Sequence, residues 1–533
     1  MKKYSTIQLS ILILIITGIN LISSCSDKSK AEITTPRDTT ITLKNSYSQF
    51  FIDSIALDKF INTEVDSDSI ANYMRNFYNS RNYSSAWFDE EGLTLQAQGF
   101  WNAHDKVIKQ QTDSSIFDTE LHIVIDTLLA DSTYILPKND MTLTELRFTK
   151  HFFQYVQYAY TGKIDPENVQ WHIPRRKLKP LDLLDSLINS KTGEWKPISR
   201  QYQLMQQALL KYREIEQQGG WPVINDTKKK FKKGDKHLII SQLKKRLQSS
   251  GDYDISDTSN VYTDSLSSAI KTTEASFGFK EDGIIDAALI KQLNVSIEER
   301  IKQMLINLER MKWMPEQPAD YLLANIPEYR LHVVENNKEM LGMNVVVGKS
   351  ANRTVIFSDE LKYIVFSPYW NIPRSIVRNE IHPAMKRRSN YLSRNNMEVT
   401  GYSGGLPIVR QKPGKGNSLG RVKFIFPNSY NIYFHDTPAK SLFGREQRAF
   451  SHGCIRLQQP FELAEYLLRD QPEWTTEKIN QAMNQSADKW VTLPKSVPVF
   501  ITYFTSWVDD NNMLHFADDI YGHDKKLAEH LFQ

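Results

Sequence analysis

The sequence predicts a multidomain α+β protein with a mainly helical N-terminal scaffold, a small three-helix module and a mainly β C-terminal domain. Its 533 residues are enough for about three to four domains. Apolar residues recur at steps of three and four before Trp221, which is typical of helices with one buried face. After Ile301, short β-rich runs alternate with Gly, Asn and Pro turns, which indicates strands. These two patterns predict the order of the domains along the chain.

The composition excludes several classes of protein. Hydrophobic residues make up 40% of the chain, which supplies ample apolar surface for packed cores and excludes wholesale disorder. The formal net charge is only +4, so no global charge indicates a nucleic-acid partner. The two cysteines, Cys25 and Cys454, are too few for a disulfide scaffold or a thiolate metal cluster. The histidines other than His435 and His452 lack metal-type spacing and no phosphate-binding glycine loop is present, so no metal or cofactor is predicted.

The first 25 residues have the pattern of an export signal. Lys2 and Lys3 precede an apolar stretch centred on residues 9–16. The following Ile22-Ser23-Ser24-Cys25 resembles the lipobox of bacterial lipoproteins, in which the cysteine is lipidated. We therefore expect a signal peptide at 1–24 and an exported chain that is anchored by lipid on Cys25 and faces the periplasm. The motif does not decide between the inner and the outer membrane. The alternative is an uncleaved membrane anchor, which also places the remainder outside the cytoplasm.

Changes in composition predict the domain boundaries. Residues 25–45 are polar and rich in Thr and Ser, which favours a tether. The predicted domains that follow are a helical scaffold at 46–225, the three-helix module at 226–298 and the β-rich domain at 299–533. An insertion at about 381–417 is polar, basic and Gly-containing, and we expect a helical or loop element that acts as a lid or binding segment. The basic run 228–236 is interpreted as a solvated linker, with a grip on an anionic glycan or lipid headgroup as the alternative.

Two segments near the C-terminus carry the chemistry. His435 ends a predicted strand in YNIYFHDTP, and Cys454 follows nineteen residues later in SHGCIR. That separation lets the chain leave a strand and return beside it. Because an adjacent imidazole stabilises a thiolate, we expect Cys454 to be a nucleophile whose pKa lies below that of a free thiol. His435, arriving from a neighbouring strand, is the candidate general base and acid, whereas His452 on the tight turn has little freedom to reach the sulfur.

The neighbours of Cys454 suit acyl transfer. Gly453 permits a tight turn whose backbone N–H groups would form an oxyanion hole. Arg456, two residues beyond Cys454, would point to the same side of an extended segment and bind a substrate carboxylate. Ser451 and His452 are given supporting roles.

This constellation resembles the L,D-transpeptidase family of bacterial cell-wall enzymes, in particular the large type with an interrupted YkuD-type catalytic domain. The matching residues are His435, Ser451, His452, Gly453, Cys454 and Arg456, with further agreement in RMKWMP (310–315), PYWNIP (368–373) and LGRVKF (419–424). Gln458 departs from the family pattern, in which Asn is common. The module at 226–298 resembles the small three-helix peptidoglycan-binding module in its Gly-Phe and Asp-Gly-Ile-Ile core.

The resemblance implies a reaction and its partners. Cys454 would attack the third residue of a tetrapeptide stem, D-alanine would leave, and an amine of a neighbouring stem would resolve the thioester to a 3→3 crosslink. It also implies His435 as base, and Tyr433, Trp370 and Asn371 join Arg456 as candidate substrate-binding residues. The partners would be peptidoglycan stem peptides and glycan, with no cofactor.

Two alternatives remain at this stage. The same Cys/His site would serve an L,D-carboxypeptidase or amidase if water outcompetes the amine. A wall-anchoring lipoprotein without activity is the second, although such a protein would be expected to lose Cys454 or His435.

Overall fold

The computed structural model describes residues 35–110, 117–131, 134–176, 179–191, 199–225, 229–253 and 257–532. The chain divides into two compact units, Met1–Gln157 with Lys179–Trp195, and Tyr158–Leu178 with Lys196–Gln533. The predicted signal peptide and Cys25 lie outside the described residues. Among the residues that are described, every helix is too short or too polar to cross a bilayer.

The first unit is mainly helical, as the sequence predicts. Asp53 and Asp118 cap two of its helices because their carboxylates accept backbone N–H groups of the first turn. Trp87 packs against Phe100 and Phe148 in its core, so aromatic rings supply much of the contact between its helices. The elements are α1 (Ser54–Glu64), α2 (Asp68–Ser80), β1 (Phe88–Asp89), β2 (Gly92–Leu93), α3 (Leu95–Gln110), α4 (Thr119–Ala130), α5 (Lys138–Thr161) and α6 (Pro180–Ile188).

Part of the segment predicted as a tether packs on the first unit. The side chain of Asn79 donates to the Thr35 carbonyl at 2.9 Å, and the backbone N–H of Asp38 donates to the Asn79 carbonyl at 2.9 Å. The described residues 35–45 therefore follow the end of α2, through hydrogen bonds that composition alone does not reveal. Residues 25–34 lie outside the described residues.

The second unit begins with a helical region. Leu243, Ile270 and Leu289 share a separate small core within it, formed where the sequence predicts the three-helix module. Ser296 caps the last long helix, and Arg310 and Lys312 lie in its final turn, where positive charge complements the helix dipole. The elements are a 3-10 turn (Pro166–Val169), β3 (Trp171–His172), α7 (Arg200–Gln217), α8 (Leu238–Ser250), α9 (Asp264–Ser276), α10 (Ala287–Leu293) and α11 (Ile297–Trp313).

A large mixed sheet forms the C-terminal part of this unit and confirms the mainly β prediction. Its strands are β4 (Tyr321–Asn325), β5 (Arg330–Glu335), β6 (Lys338–Gly348), β7 (Ile356–Phe366), β11 (Val422–Ile425), β12 (Phe434–His435), β13 (Ala449–Ser451), β14 (Ile455–Leu457) and β15 (Lys489–Thr502). The strand order is β11-β12-β14-β6-β5-β4-β15-β7-β3, and β7 also pairs with β11, so the path closes on itself. Ile364, Phe424 and Ile455 are fully buried inside it.

Shorter elements complete this unit. They are a 3-10 turn (Lys440–Gly444), α15 (Pro460–Leu468), α16 (Thr476–Ala482), β16 (Ser506–Val508), β17 (Leu514–Phe516) and α17 (His523–Leu531).

The insertion between β7 and β11 contains the expected helices and also strands that the sequence analysis missed. The elements are β8 (Trp370–Asn371), α12 (Arg374–Ile376), a π-helical turn (Val377–Ile381), α13 (His382–Arg387), α14 (Tyr391–Arg394), β9 (Met397–Ser403) and β10 (Leu406–Gln411). The strands β8, β10 and β9 form a separate antiparallel sheet, on which Ile376, Val377 and Val409 make a small core. Every residue of β9 is at least partly exposed, so its sequence lacks the apolar alternation that identifies a half-buried strand.

Candidate active site

Two neighbouring short strands orient the predicted site residues. Strand β12 pairs in parallel with β14, with Phe434 opposite Ile455 and His435 opposite Arg456. Phe434 and Ile455 are fully buried in the core of the sheet. Because side chains alternate across a strand, His435 and Arg456 lie together on the other face.

Tyr433 and Cys454 directly precede these two strands and lie beside one another. The backbone N–H of Ile455 donates to the Tyr433 carbonyl at 3.2 Å, and the Cys454 thiol donates to the Asn431 carbonyl at 3.6 Å. Burial raises the pKa of Cys454, against hydrogen bonding from Tyr433 and the charge of Arg456, which lower it. The prediction of a lowered thiol pKa is therefore wrong in this structure, because the cost of desolvating a thiolate outweighs those two effects.

The Tyr433 hydroxyl stays protonated in this setting. Burial and the adjacent Cys454 both raise the pKa of Tyr433. Its ring centroid lies 5.8 Å from that of His435, so the phenol is a neighbour of the imidazole as well as of Cys454. The structure thus gives Tyr433 a place next to the nucleophile, whereas the sequence indicated substrate binding only.

His435 is buried and uncharged. Its side chain is 4% exposed, and Nδ1 forms a hydrogen bond with the carbonyl oxygen of Asp436. Since a carbonyl only accepts, Nδ1 carries the proton and Nε2 is the basic nitrogen of the neutral ring. Burial and the nearby charge of Arg456 lower the pKa of His435 to about 3. A neutral imidazole with a basic Nε2 is the form that a general base requires.

Asp436 is in turn fixed by its own partners. Its carboxylate accepts the backbone N–H of Arg421 at 2.9 Å and forms an ion pair with Lys440 at 2.7 Å. Gly420 lies against it with a φ of +64°, and a Cβ atom there would overlap the Asp436 carboxyl group. The Leu419-Gly420-Arg421 run, seen in the sequence as an agreement with the family, therefore fixes the residue that orients His435.

The turn before Cys454 is closed by Ser451. The Ser451 hydroxyl donates to the Cys454 carbonyl at 2.6 Å and accepts the backbone N–H of Gly453 at 3.0 Å. Gly453 has a φ of +116°, which side-chain-bearing residues rarely adopt. Ser451 thus closes the turn that carries Cys454, and its supporting role in the reaction stays a prediction. The Gly453 N–H, however, donates to the Ser451 hydroxyl, whereas the sequence predicts it as a donor to the oxyanion.

Two residues that the sequence analysis missed hold this turn from outside. The Thr354 hydroxyl donates to the Gly453 carbonyl at 2.8 Å and accepts the backbone N–H of Gly348 at 2.9 Å. The Tyr521 hydroxyl donates to the Gly348 carbonyl and accepts the Thr354 backbone N–H. Thr354 is 99 residues from Gly453 along the chain, so no local motif identifies it.

His452 faces away from this buried network. Its imidazole is 43% exposed, and Nε2 lies 3.3 Å from a carboxylate oxygen of Glu380 in the π-helical turn of the insertion. The insertion therefore touches the residue that precedes Gly453 and Cys454. The supporting role predicted for His452 stays a prediction.

The remaining predicted residues separate into two groups. Arg456 lies on the face of β14 that carries the site, where burial lowers its pKa. Trp370 and Asn371 lie on β8 of the insertion sheet, paired with β10, and their binding role stays a prediction. Gln458, where the family often has Asn, accepts the backbone N–H of Asn344 on β6 at 3.2 Å, so the departure retains a local hydrogen bond.

A further cation on the site face was missed. Lys423 on β11 lies opposite His435 in the antiparallel pair, and its ammonium group is 5.9 Å from the ring centroid of Tyr433. Burial lowers the pKa of Lys423. Lys423 belongs to the LGRVKF run that agrees with the family, but only the pairing of β11 with β12 shows that this residue lies opposite His435.

Comparison with protein-family models identifies the domains that carry this geometry. Residues 319–499 match the model described as the L,D-transpeptidase catalytic domain (YkuD). The chain carries an L,D-transpeptidase catalytic domain. Residues 72–209 match a model described as a Scaffold domain, and residues 237–293 match the "Putative peptidoglycan binding domain". These matches confirm both family resemblances seen in the sequence.

Individual relatives agree with this assignment. A Haemophilus influenzae protein named "Putative L,D-transpeptidase" is 31% identical over 249 residues, which cover 44% of this chain and 50% of that protein. The chain thus spans about half the length of the curated relative it matches. Two solved L,D-transpeptidase structures also match part of the chain. That from Mycobacterium smegmatis is 12% identical, covers 34% of this chain and 58% of its own, and has a TM-score of 0.20. That from Stackebrandtia nassauensis is 14% identical, with coverages of 52% and 96% and a TM-score of 0.21.

Proposed function

We propose that this chain is a peptidoglycan L,D-transpeptidase that transfers an acyl group from tetrapeptide stems through a thioester on Cys454. The supporting observation is that His435 and Arg456 share one face of two paired strands, with Tyr433 and Cys454 side by side directly before those strands, in a region that matches this catalytic domain. The match to a peptidoglycan-binding domain in the same chain supports the same polymer as substrate.

The first half-reaction forms the thioester. Nε2 of His435 takes the thiol proton of Cys454, and the sulfur attacks the carbonyl carbon of the diamino acid at the third stem position. The C–N bond to the terminal D-alanine breaks, and the proton on His435 passes to the leaving amine. D-alanine departs, and the stem remains bound to Cys454 as a thioester.

The second half-reaction resolves the thioester. The side-chain amine of a neighbouring stem attacks the thioester carbonyl and gives a proton to His435. The C–S bond breaks, the proton returns to the sulfur, and a 3→3 crosslink is released. The cycle consumes no water and needs no oxidant.

The resting protonation states fit this sequence of proton transfers. A thiol with a raised pKa and an imidazole with a lowered pKa start as a neutral pair, so proton transfer accompanies attack instead of preceding it. The Tyr433 hydroxyl and the Arg456 charge stabilise the developing thiolate. Because the Gly453 N–H is bonded to Ser451, we assign the backbone N–H of Cys454 as the oxyanion donor.

Product analysis with purified tetrapeptide muropeptides tests the proposal. The enzyme should release D-alanine and form dimers whose mass equals two monomers minus one D-alanine, and a thioester on Cys454 should be detectable by mass spectrometry. Cys454→Ala should abolish both products and still sediment with sacculi, since the peptidoglycan-binding domain is separate in sequence from the catalytic domain.

Other outcomes would contradict the proposal in distinct ways. Tripeptide without dimers would make the chain an L,D-carboxypeptidase or amidase. Sacculus binding without either product would favour a wall-anchoring protein. Dimers formed by Cys454→Ala would remove Cys454 as the nucleophile.

For the location we propose an exported lipoprotein anchored through Cys25. The motif Ile22-Ser23-Ser24-Cys25 after an apolar stretch supports this. Cys25→Ser should move the protein to the soluble fraction or leave the signal uncut. A mutant that stays with membranes at the mature size would exclude lipidation as the anchor.

A further inference from the structure

A cavity in the second unit lies among elements outside the catalytic strands. Its volume is about 510 Å³, within the range of small-molecule sites. The walls come from α7, from α8 and α9 of the peptidoglycan-binding module, from α11 and from β17. None of the residues assigned above to the catalytic site contributes to it.

Aromatic rings and guanidinium groups dominate the walls. Tyr212 packs edge-on against Trp221 at 5.7 Å between ring centroids, and Phe277 lies 6.4 Å from Phe516. Among the described residues, the cavity is lined by Lys211, Arg246 and Arg300 and by one carboxylate, Asp252, which accepts a hydrogen bond from Ser250. The balance of charge is positive, which favours an anionic ligand.

The two buried arginines differ in how many of their guanidinium N–H groups are hydrogen-bonded. Each is 4% exposed. Arg300 uses both terminal nitrogens, donating to Gln303 and to Gln292 at 2.9 Å. Arg246 donates through Nε to the Leu293 carbonyl at 2.9 Å, but its buried Nη1 has no hydrogen-bond partner among the residues that the structure describes. A buried unpaired donor on a charged group is costly, and most are satisfied by a partner.

The position of Arg246 suits a carboxylate. Its guanidinium carbon lies 3.7 Å from the ring centroid of Trp221, and this contact fixes the orientation of the planar guanidinium group. A planar, fixed guanidinium recognises carboxylates with directional hydrogen bonds, whereas the surrounding rings contact the carbon skeleton of a ligand. We infer that this cavity binds a free carboxylate of a peptidoglycan stem peptide, with Arg246 as its anchor. The choice of stem peptide rests on the function proposed above.

Fluorine NMR on 5-fluorotryptophan-labelled protein reports on the cavity itself. The full-length chain carrying Cys454→Ala is titrated with the tripeptide stem L-Ala-γ-D-Glu-diaminopimelate, and Trp221→Phe assigns the resonance. The Trp221 signal should shift and saturate with the acid. The fully amidated tripeptide should bind at least about tenfold more weakly, because it lacks the charge-assisted hydrogen bond. Acetate should give no saturation, since it has no skeleton for the rings to contact.

Three variants complete the test. Arg246→Gln should weaken binding by about tenfold or more, and Ala208→Phe, which fills the cavity while leaving Arg246 intact, should do the same. Lys245→Gln removes a positive charge from an exposed neighbour on α8 and should leave the dissociation constant within about twofold. Circular dichroism checks that each variant is folded.

Specific results would overturn the inference. They are a Trp221 signal that does not move at millimolar tripeptide, equal affinity for acid and amide, or unchanged binding in both Arg246→Gln and Ala208→Phe. Binding is measured without the nucleophile, so these results are independent of D-alanine release by the wild-type enzyme. A failure of acyl transfer with a saturating Trp221 shift would contradict the proposed function alone.

Discussion

The catalytic domain supports its site with two regions that are built differently. The strand pair β12–β14 is held by backbone pairing and by two fully buried side chains, Phe434 and Ile455. The turn 451–454 contains the proposed nucleophile, Cys454, and is held by side-chain hydrogen bonds, including one from Thr354, which is 99 residues from Gly453 along the chain. The first region therefore fixes the proposed base, His435, through the regularity of a sheet, and the second fixes the sulfur through individual polar contacts.

The two histidines show the consequence of this difference. His435 belongs to the strand pair and is 4% exposed, with a pKa lowered to about 3 by burial and by Arg456. His452 belongs to the turn and is 43% exposed beside Glu380. Proximity in sequence to Cys454 is thus a poor guide to function. Substitutions in the strand pair and in the turn should therefore lower the rate of D-alanine release by very different factors.

The largest effect is expected for His435→Gln. Loss of the general base and acid should lower kcat for D-alanine release by about 10²- to 10⁴-fold. Because His435 is neutral in the structure, the pKa of Cys454, measured by alkylation rate against pH, should remain above that of a free thiol in both proteins. A thiol pKa that rises in the variant would instead show that a charged imidazole normally stabilises the thiolate.

The same substitution should change the dependence of stability on pH. The pKa of His435 is about 3 in the folded protein and ~6.5 in an unfolded chain. Between these values the unfolded chain binds a proton that the folded chain does not, so the free energy of unfolding falls as the pH drops from ~6.5 towards 3. Above ~6.5 both states are neutral and this loss is absent. Between pH 7 and pH 4.5, thermal unfolding should show a smaller fall in melting temperature for His435→Gln than for the wild type. The control His172→Gln, at an exposed position, should show the same fall as the wild type.

A smaller effect is expected when the support of the turn is removed. Thr354→Val deletes the hydroxyl that bonds the Gly453 carbonyl and the Gly348 N–H, so the sulfur should lose its alignment. Misplacement of this kind should lower kcat by about 10- to 100-fold with little change in KM. Thr354→Ser keeps the hydroxyl and should restore most of the rate.

A matched control separates positioning from general destabilisation. Thr502 on β15 is fully buried, and its hydroxyl has no hydrogen-bond partner in the described part of the chain. Thr502→Val therefore removes a buried hydroxyl without breaking a bond and should leave both kcat and the melting temperature near wild type. Equal losses of rate in the two valine variants would mean that Thr354 does not position the turn.

The same division explains how far the sequence could predict this site. The β-rich runs and the nineteen-residue spacing predicted that the chain leaves a strand at His435 and returns beside it near Cys454, and β12 and β14 are indeed paired. Thr354, Tyr521 and the pairing of Lys423 were missed, because they depend on contacts between segments far apart in the chain. The thiol pKa was predicted in the wrong direction, since burial of a side chain is a property of the packed fold.

The smallest effect is expected for His452→Gln, although this residue lies only two positions from the nucleophile. Its contact with Glu380 joins two exposed side chains at 3.3 Å, and exposed ion pairs contribute about 1 kcal/mol at most. D-alanine release should therefore fall by less than about fivefold, and Glu380→Gln should give the same result, since both variants break the same contact. The double variant should be no slower than either single variant if that contact is the whole contribution. A loss in His452→Gln comparable with that of His435→Gln would show that the turn, and not the strand, supplies the base, and would reverse the assignment of the two regions.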